Sequence, residues 1–177
     1  LSFVIAASIF LSMWQSSTLQ EVHVESLWTW LSIGDFSPTV ALRLDGLSLT
    51  MLGVVSGVGF LIHLFASWYM RGQEGYSRFF AYMNLFVASM LLLVLADDLV
   101  LLFFGWEGVG LCSYLLIGFY YRDPANGAAA LKAFIVTRVG DVLMLIGLFI
   151  LFRELGTLHI QTVLELAPAH DHQAALQ

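Results

Sequence analysis

The sequence predicts an all-α integral membrane protein: a polytopic transmembrane helix bundle of about four full spans plus one truncated span, with a small extramembrane β-hairpin. Of its 177 residues, 59% are hydrophobic and 11% are charged, and the mean hydropathy is +0.85. Soluble domains are usually about a quarter charged, so this composition excludes a soluble enzyme. Apolar stretches separated by short polar loops are each long enough to cross a bilayer.

The chain begins with a short apolar stretch followed by a polar segment. Residues 1–14 fall short of the roughly 20 that a span needs, so we expect a truncated transmembrane helix in a fragment of a longer protein. No basic region precedes them, which argues against a signal peptide. Residues 15–44 carry charges and the turn residues Gly34, Asp35 and Pro38. Their β-prone stretches, 27–33 and 39–44, predict a hairpin outside the membrane.

The four-helix transmembrane part is expected over residues 45–153. Its spans cover about 45–70, 77–96, 99–120 and 128–152, and Asp45 is expected to cap the first of them. Gly53 and Gly57 form a GxxxG pair, so we expect that face to pack closely against another helix. Proline and glycine in residues 122–127 predict a loop before the fourth span. Residues 154–177 are expected to form an interfacial or loop segment, helical at most before Pro168, that leads to further helices.

The distribution of charge predicts the orientation. Four basic residues fall on one side of the membrane, against two on the side that carries the hairpin. Basic residues favour the cytoplasmic side, so the hairpin is expected in the periplasm of a multi-pass protein in a bacterial inner membrane. The four basic residues on the expected cytoplasmic side are Arg71, Arg78, Arg122 and Lys132.

The third span carries an acid inside an apolar helix. Glu107 lies within LLFFGWEGVGLCSYLLIGFY, residues 101–120. An ionised carboxylate in hydrocarbon is costly, so an intramembrane acid indicates a functional site. Gly105, Gly108 and Gly110 surround it and leave room for a neighbouring helix. The single cysteine, Cys112, excludes an intrachain disulfide and a cysteine-ligated iron–sulfur cluster within this chain.

The fourth span adds Arg138 and Asp141, which lie three residues apart on one helix face. In a structural interpretation they neutralise each other and fix the packing, while burial keeps Glu107 protonated. In a functional interpretation Glu107 binds a proton and releases it when a cation approaches, and Arg138 and Asp141 modulate the local field. The functional interpretation is favoured because buried ion pairs contribute little net stability.

Two further residues are candidate relays. His63 lies deep in the first span, where a neutral histidine bonded to a neighbour is the simpler interpretation. Lys132 lies nearer the cytoplasmic end, nine residues before Asp141 and on another face, and can extend toward water. His170, Asp171 and His172 match no standard ligand spacing, so no metal site is predicted.

Residues 95–141, from LADDLVLL to VTRVGD, resemble the largest antiporter-like membrane subunit of respiratory complex I, the NADH–quinone oxidoreductase. This is the L subunit of bacterial enzymes and chain five of mitochondrial ones. The stretches LDGLSLTML, SWYM and YSRFFAYMNLF agree with it. The most specific part is GWEGVGLCSYLLIG, which contains Glu107.

The resemblance implies a subunit that couples NADH oxidation by quinone to proton pumping. Glu107 falls on the family's glutamate of a proton-transfer pair, whose lysine would lie beyond Gln177. Flavin, iron–sulfur clusters and quinone are expected in other subunits, so this chain would hold no cofactor and no complete active site. The expected partners are other membrane subunits of complex I, especially a neighbouring antiporter-like one, and the lipid bilayer, with no nucleic acid. The alternatives are the large subunit of a multisubunit sodium/proton antiporter and a membrane subunit without an ion path.

Overall fold

The computed structural model describes residues 2–15, 21–34 and 36–174, and these ranges contain six helices and one two-stranded sheet. Four of the helices are long and apolar enough to cross a membrane. The predicted fold class is therefore confirmed, and the chain is a multi-pass membrane protein. The elements are α1 Ser2–Gln15, β1 His23–Thr29, β2 Thr39–Leu44, α2 Gly46–Tyr69, α3 Tyr76–Leu95, α4 Leu99–Ile117, α5 Pro124–Leu155 and α6 Ile160–Ala174.

Aspartates begin three of the four spanning helices. The Ser48 N–H donates to Asp45 Oδ1 at 2.9 Å, and the Asp45 N–H donates to Ser48 Oγ at 2.8 Å, which completes a capping box on α2. Asp98 accepts from the Val100 N–H on α4, and Asp123 accepts from the Ala125 N–H on α5. These carboxylates satisfy amides that have no partner within their helix, and they complement its positive end. The predicted cap at Asp45 is confirmed.

Two helices include prolines that were expected to lie outside them, Pro124 and Pro168. α5 begins at Pro124, so residues 124–127 are helical and the loop predicted there is wrong. Proline suits the first position of a helix, because its fixed φ is already helical and its missing N–H would have no partner there. α6 runs through Pro168 to Ala174. A proline inside a helix removes one main-chain hydrogen bond and can kink the helix without ending it.

The strands form an antiparallel hairpin that contacts the helix ends. His23 pairs with Leu44 and Thr29 with Thr39, with an irregularity between Ser26 and Trp28. β1 therefore starts four residues earlier than the predicted stretch 27–33. The connection between the strands, residues 30–38, is longer than the predicted pattern required. A 3.0 Å hydrogen bond from the Trp30 N–H to the Pro38 carbonyl oxygen joins its two ends. Residues 16–20 and Asp35, which belong to the same predicted segment, lie outside the described residues.

Glycines bring α4 close to α3, which lies between α2 and α4. A Cβ at Gly105 would lie 2.7 Å from the Leu93 nitrogen, and one at Gly108 would lie 2.5 Å from Ser89 Oγ. The predicted role of these two glycines is confirmed. The GxxxG pair behaves differently, since a Cβ at Gly53 would meet nothing within 4 Å among the described residues. Gly57 faces only the Phe3 ring of α1 at 3.6 Å, so no helix backbone packs closely on that pair.

Candidate functional site

Three charged side chains meet between α4 and α5, well inside both helices. Glu107 is the ninth of the 19 residues of α4, and Asp141 is the eighteenth of the 32 residues of α5. Arg138 Nη1 is in direct contact with Glu107 Oε2 and lies 3.4 Å from Asp141 Oδ2. One guanidinium therefore serves two carboxylates on different helices. The structure brings together all three residues that the sequence singled out, while their roles remain predictions.

This intramembrane cluster of Glu107, Arg138 and Asp141 is partly buried within the chain. The Asp141 side chain is 9% exposed, whereas those of Arg138 and Glu107 are 27% and 29% exposed. The carboxylates lie in helix interiors, where main-chain amides are already bonded to the preceding turn. Within the described part of the chain, their charge is therefore balanced by side chains alone. With all three groups ionised, two negative charges face one positive charge, and a single bound proton would make the cluster neutral.

Trp106 is a member of this site that the sequence reasoning missed. Its indole N–H donates to Asp141 Oδ1 at 2.7 Å. Two consecutive residues of α4, Trp106 and Glu107, therefore contact two different charged groups of α5. A signal was present, because a tryptophan beside an intramembrane acid needs an acceptor for its N–H when water is excluded.

Arg138 is also held by its surroundings. Its Cζ lies 4.2 Å from the centroid of the Phe134 ring, one turn earlier on α5, which is a cation–π geometry. A Cβ at Gly110 would lie 3.6 Å from Arg138 Nη2, so the absent side chain leaves space beside the guanidinium. Phe134 therefore stabilises the guanidinium between the two carboxylates, and Gly110 leaves space on its other side.

The two candidate relays lie away from this cluster. His63 is on α2, with α3 packed between α2 and α4, and its Nδ1 lies 2.7 Å from the Gly59 carbonyl oxygen. Its buried Nε2 has no hydrogen-bond partner among the described residues. With Ser56 and Asn84, His63 lines a cavity of about 180 Å³. Lys132 is exposed in the first part of α5. No contact links either residue to Glu107 in the described part of the chain.

The described residues contain no group of three or more side chains that could hold a metal ion. The side chains of His170, Asp171 and His172 lie outside the described part, and the absence of a metal site stays a prediction.

A second charged group, which we call the hairpin-side cluster, joins β2, the α3–α4 turn and the segment before α6. Arg43 Nε lies 3.0 Å from Asp45 Oδ2, and Arg43 Nη1 lies 3.8 Å from Asp97 Oδ1. His159 Nδ1 lies 3.8 Å from Asp97 Oδ2 and 3.7 Å from Asp98 Oδ2.

The pKa values of two of these carboxyl groups are shifted in opposite directions. Burial raises the pKa of the Asp98 carboxyl, whose residue is 1% exposed. At Asp45 the hydrogen bond from the Ser48 N–H holds the pKa of the carboxyl below its ordinary value. The contribution of His159 to this cluster was not predicted from the sequence.

Family models and curated relatives match most of the chain. Residues 30–80 match a model described as NADH-ubiquinone oxidoreductase (complex I), chain 5 N-terminus, and residues 96–176 match one described as NADH:quinone oxidoreductase/Mrp antiporter, TM. The chain is 70% identical over 151 residues to NADH-quinone oxidoreductase subunit L of Escherichia coli, covering 85% of this chain and 25% of that protein. It is 75% identical over 142 residues to the subunit L of Pseudomonas aeruginosa, covering 80% and 23%.

Solved structures share the fold. The structure of the Mrp complex from Dietzia sp. aligns with a TM-score of 0.75 and 29% identity, over 92% of this chain and 17% of the matched chain. The membrane-bound sulfane sulfur reductase, an archaeal respiratory membrane complex, aligns with a TM-score of 0.64 over 90% of this chain and 24% of that one. Its identity of 20% supports likeness of fold alone. The chain spans about a quarter of the length of the curated relatives.

Proposed function

The chain belongs to the family of antiporter-like membrane subunits of complex I, and from that premise we propose that it is part of a proton-translocating subunit of NADH–quinone oxidoreductase. The identities of 70% and 75% to proteins named subunit L support this assignment. Because the chain spans about a quarter of those relatives, we place the rest of the proton path, including a lysine partner for Glu107, in segments outside these 177 residues.

The observation that carries the proposal is the sharing of Arg138 between Glu107 and Asp141. While the guanidinium contacts Glu107, it stabilises the ionised carboxylate. When it moves toward Asp141, Glu107 loses its counterion. An uncompensated carboxylate in hydrocarbon is costly, so Glu107 then binds a proton. Arg138 Nη1 already lies within 3.4 Å of Asp141, so a small displacement is enough to change which acid it neutralises.

The rest of the assignment follows from this role. Flavin, iron–sulfur clusters and quinone belong to other subunits, whose reaction drives the displacement of charge here. This chain contributes proton transfer, within a translocase, and no complete redox site. We place the protein in a bacterial inner membrane with the hairpin in the periplasm, beside a neighbouring antiporter-like subunit. The excess of basic residues at the opposite end of the helices supports that orientation.

A second candidate is the large subunit of a multisubunit sodium/proton antiporter. The alignment with the Mrp complex structure, at 29% identity, favours it, but the identity of 70% to subunit L favours complex I more strongly. Inverted membrane vesicles separate the two. Acidification driven by NADH supports the complex I assignment, whereas exchange of protons for sodium without NADH supports the antiporter.

The test is the variant Glu107→Gln in the assembled membrane complex. Glutamine keeps the shape of the side chain but cannot bind and release a proton, so the complex should assemble and lose most NADH-driven proton translocation. Assembly is followed by native electrophoresis, and translocation by quenching of a pH-sensitive dye in inverted vesicles. Glu74→Gln is the matched control, because Glu74 is an exposed acid in an ion pair with Arg122. Parental pumping by assembled Glu107→Gln complex would contradict the proposal.

A further inference from the structure

A cavity opens between α3, α4 and α5 at the end of the bundle opposite the hairpin. Its volume is about 240 Å³, far more than the roughly 10–15 Å³ that one water needs. It lies at the height where α3 begins, α4 ends and α5 begins, which is the depth of lipid headgroups for helices that span the membrane. The lining residues that matter are Arg78, Tyr82, Tyr114, Phe119, Tyr121 and Gly127.

Arg78 gives this cavity a positive charge that no acid in the described part of the chain neutralises. Among the described residues, ion pairs of arginine involve Arg43, Arg122, Arg138 and Arg153, and Arg78 has none. The nearest acid in sequence, Glu74, contacts Arg122 at 2.6 Å. Arg78 is partly buried, whereas Arg122 is 73% exposed. A partly buried guanidinium without a counterion attracts an anion.

The geometry around Arg78 orients the guanidinium and leaves most of its hydrogens free. Its Cζ lies 5.1 Å from the Phe119 ring centroid and 4.9 Å from that of Tyr121. Its hydrogen bond from Nη2 to the Phe119 carbonyl oxygen is long, at 3.5 Å. A guanidinium has five N–H donors in a planar fork that matches two oxygens of a phosphate. The aromatic rings hold this fork at the wall of the cavity.

We propose that this cavity binds the phosphate group of an anionic phospholipid, with Arg78 as the principal ligand. All phospholipids place a phosphate at this depth, but an anionic headgroup has no cation of its own to compete with Arg78, so basic pockets between transmembrane helices are suited to anionic headgroups. The three tyrosines that line the cavity belong to a residue type enriched at this interface, with a ring in the apolar zone and a hydroxyl in the polar zone. This site is separate from the intramembrane cluster and does not depend on proton transfer.

The experiment measures retained lipid in the assembled complex. The complex is placed in nanodiscs of phosphatidylcholine and phosphatidylglycerol, washed with detergent, and its remaining phosphatidylglycerol is counted by mass spectrometry. Arg78→Gln should lower the retained phosphatidylglycerol by one molecule per chain. Arg78→Lys should keep it, because the positive charge remains. Arg122→Gln is the matched control, since its guanidinium lies at the same end of the bundle but is already paired, and it should retain the parental amount.

A second variant tests the cavity without touching the charge. Gly127→Leu adds a side chain where a Cβ would meet nothing within 4 Å, so it should fill the cavity and release the same lipid while Arg78 remains. If the Arg78→Gln complex fails to assemble, the phosphatidylglycerol retained by the Gly127→Leu complex tests the proposal. Parental retention by both variants would overturn the proposal. Displacement of phosphatidylglycerol by millimolar inorganic phosphate would also overturn it, because free phosphate would then be the ligand.

Discussion

The intramembrane cluster and the hairpin-side cluster use the same arrangement in different settings. Each places one guanidinium between two carboxylates: Arg138 lies between Glu107 and Asp141, and Arg43 lies between Asp45 and Asp97. They differ in what else supports the acids. The hairpin-side cluster lies at helix ends, where main-chain amides are available, whereas the intramembrane cluster lies in helix interiors, where they are not.

This difference separates structural charge from movable charge. Asp45 and Asp98 accept main-chain N–H donors and remain stabilised when a neighbouring side chain moves. Glu107 has no such donor in the middle of α4, so its charge depends on Arg138. In the proposed mechanism, a change in the position of one guanidinium changes the protonation of Glu107 but leaves the caps intact. The same residue types are structural at one end of the molecule and are proposed to transfer protons at its centre.

The largest expected effect comes from removing the two guanidiniums in turn. Arg138→Met leaves Glu107 and Asp141 without a cation, and breaking a buried pair costs about 3–5 kcal/mol. Arg43→Met should cost about 1.5–3 kcal/mol, the range for hydrogen bonds to charged groups, because main-chain donors still support Asp45. Thermal unfolding of the assembled complex in detergent measures both. A larger loss of stability from Arg43→Met than from Arg138→Met would contradict this difference between the two clusters.

The next effect separates packing from charge at the intramembrane cluster. Gly105→Ala places a Cβ 2.7 Å from the Leu93 nitrogen, a backbone atom that cannot rotate away. Overpacking of this kind costs about 1–3 kcal/mol, and α3 and α4 should separate slightly. Gly140→Ala is the control, because its Cβ would meet nothing within 4 Å and alanine favours the helix. Equal stability of the two variants would show that charge alone holds α4 in place.

A smaller effect is expected at the cap of α2. Asp45→Ala removes the capping box and should cost about 1 kcal/mol at neutral pH. Because the pKa of Asp45 is lowered in the folded protein, its stabilisation is present above the ordinary aspartate value of about 4 and is lost as the pH falls through the lowered pKa. The difference in unfolding temperature between parent and variant should therefore shrink in acid. A constant difference would contradict the role of the charged carboxylate.

Local chemistry made the helices and one half of the site predictable from sequence. Apolar length defined the spans, the capping rule identified Asp45, and the spacing of Arg138 and Asp141 placed them on one face of α5. The contact between Arg138 and Glu107 was not predictable, because it depends on how α4 and α5 rotate about their axes. The sequence separation of 116 residues between Arg43 and His159 likewise hid their joint packing around Asp97.

The start of α5 shows a different kind of error. Pro124 was interpreted as a helix breaker, although Asp123 precedes it and caps the helix through the Ala125 N–H. An aspartate followed by proline is a signal for a helix start, so this boundary could have been predicted. The long-range contacts could not, because no local preference determines which helix faces meet.

The smallest expected effect is at Asp98, and its sign is opposite to that of Asp45. Burial raises the pKa of Asp98 in the folded protein, so the folded state binds more protons than the unfolded state between the ordinary value near 4 and the raised pKa. Asp98 therefore lowers stability as the pH rises through that interval. The groups facing it are Asp97, which raises the pKa further, and His159, which lowers it.

Asp98→Asn should remove this pH dependence and change little else, because asparagine caps a helix about as well as aspartate. The measurement is the unfolding temperature of parent and variant complexes across that acid interval, compared at each pH so that other titrating groups cancel. The variant should gain on the parent as the pH rises through that interval, whereas Asp45→Ala should fall further behind its parent at lower pH, as the pH rises from the lowered pKa of Asp45 toward about 4. If both variants moved in the same direction, the two carboxylates would not differ as their burial and hydrogen bonds require. A helix-end charge would then depend on its neighbours as strongly as Glu107 depends on Arg138.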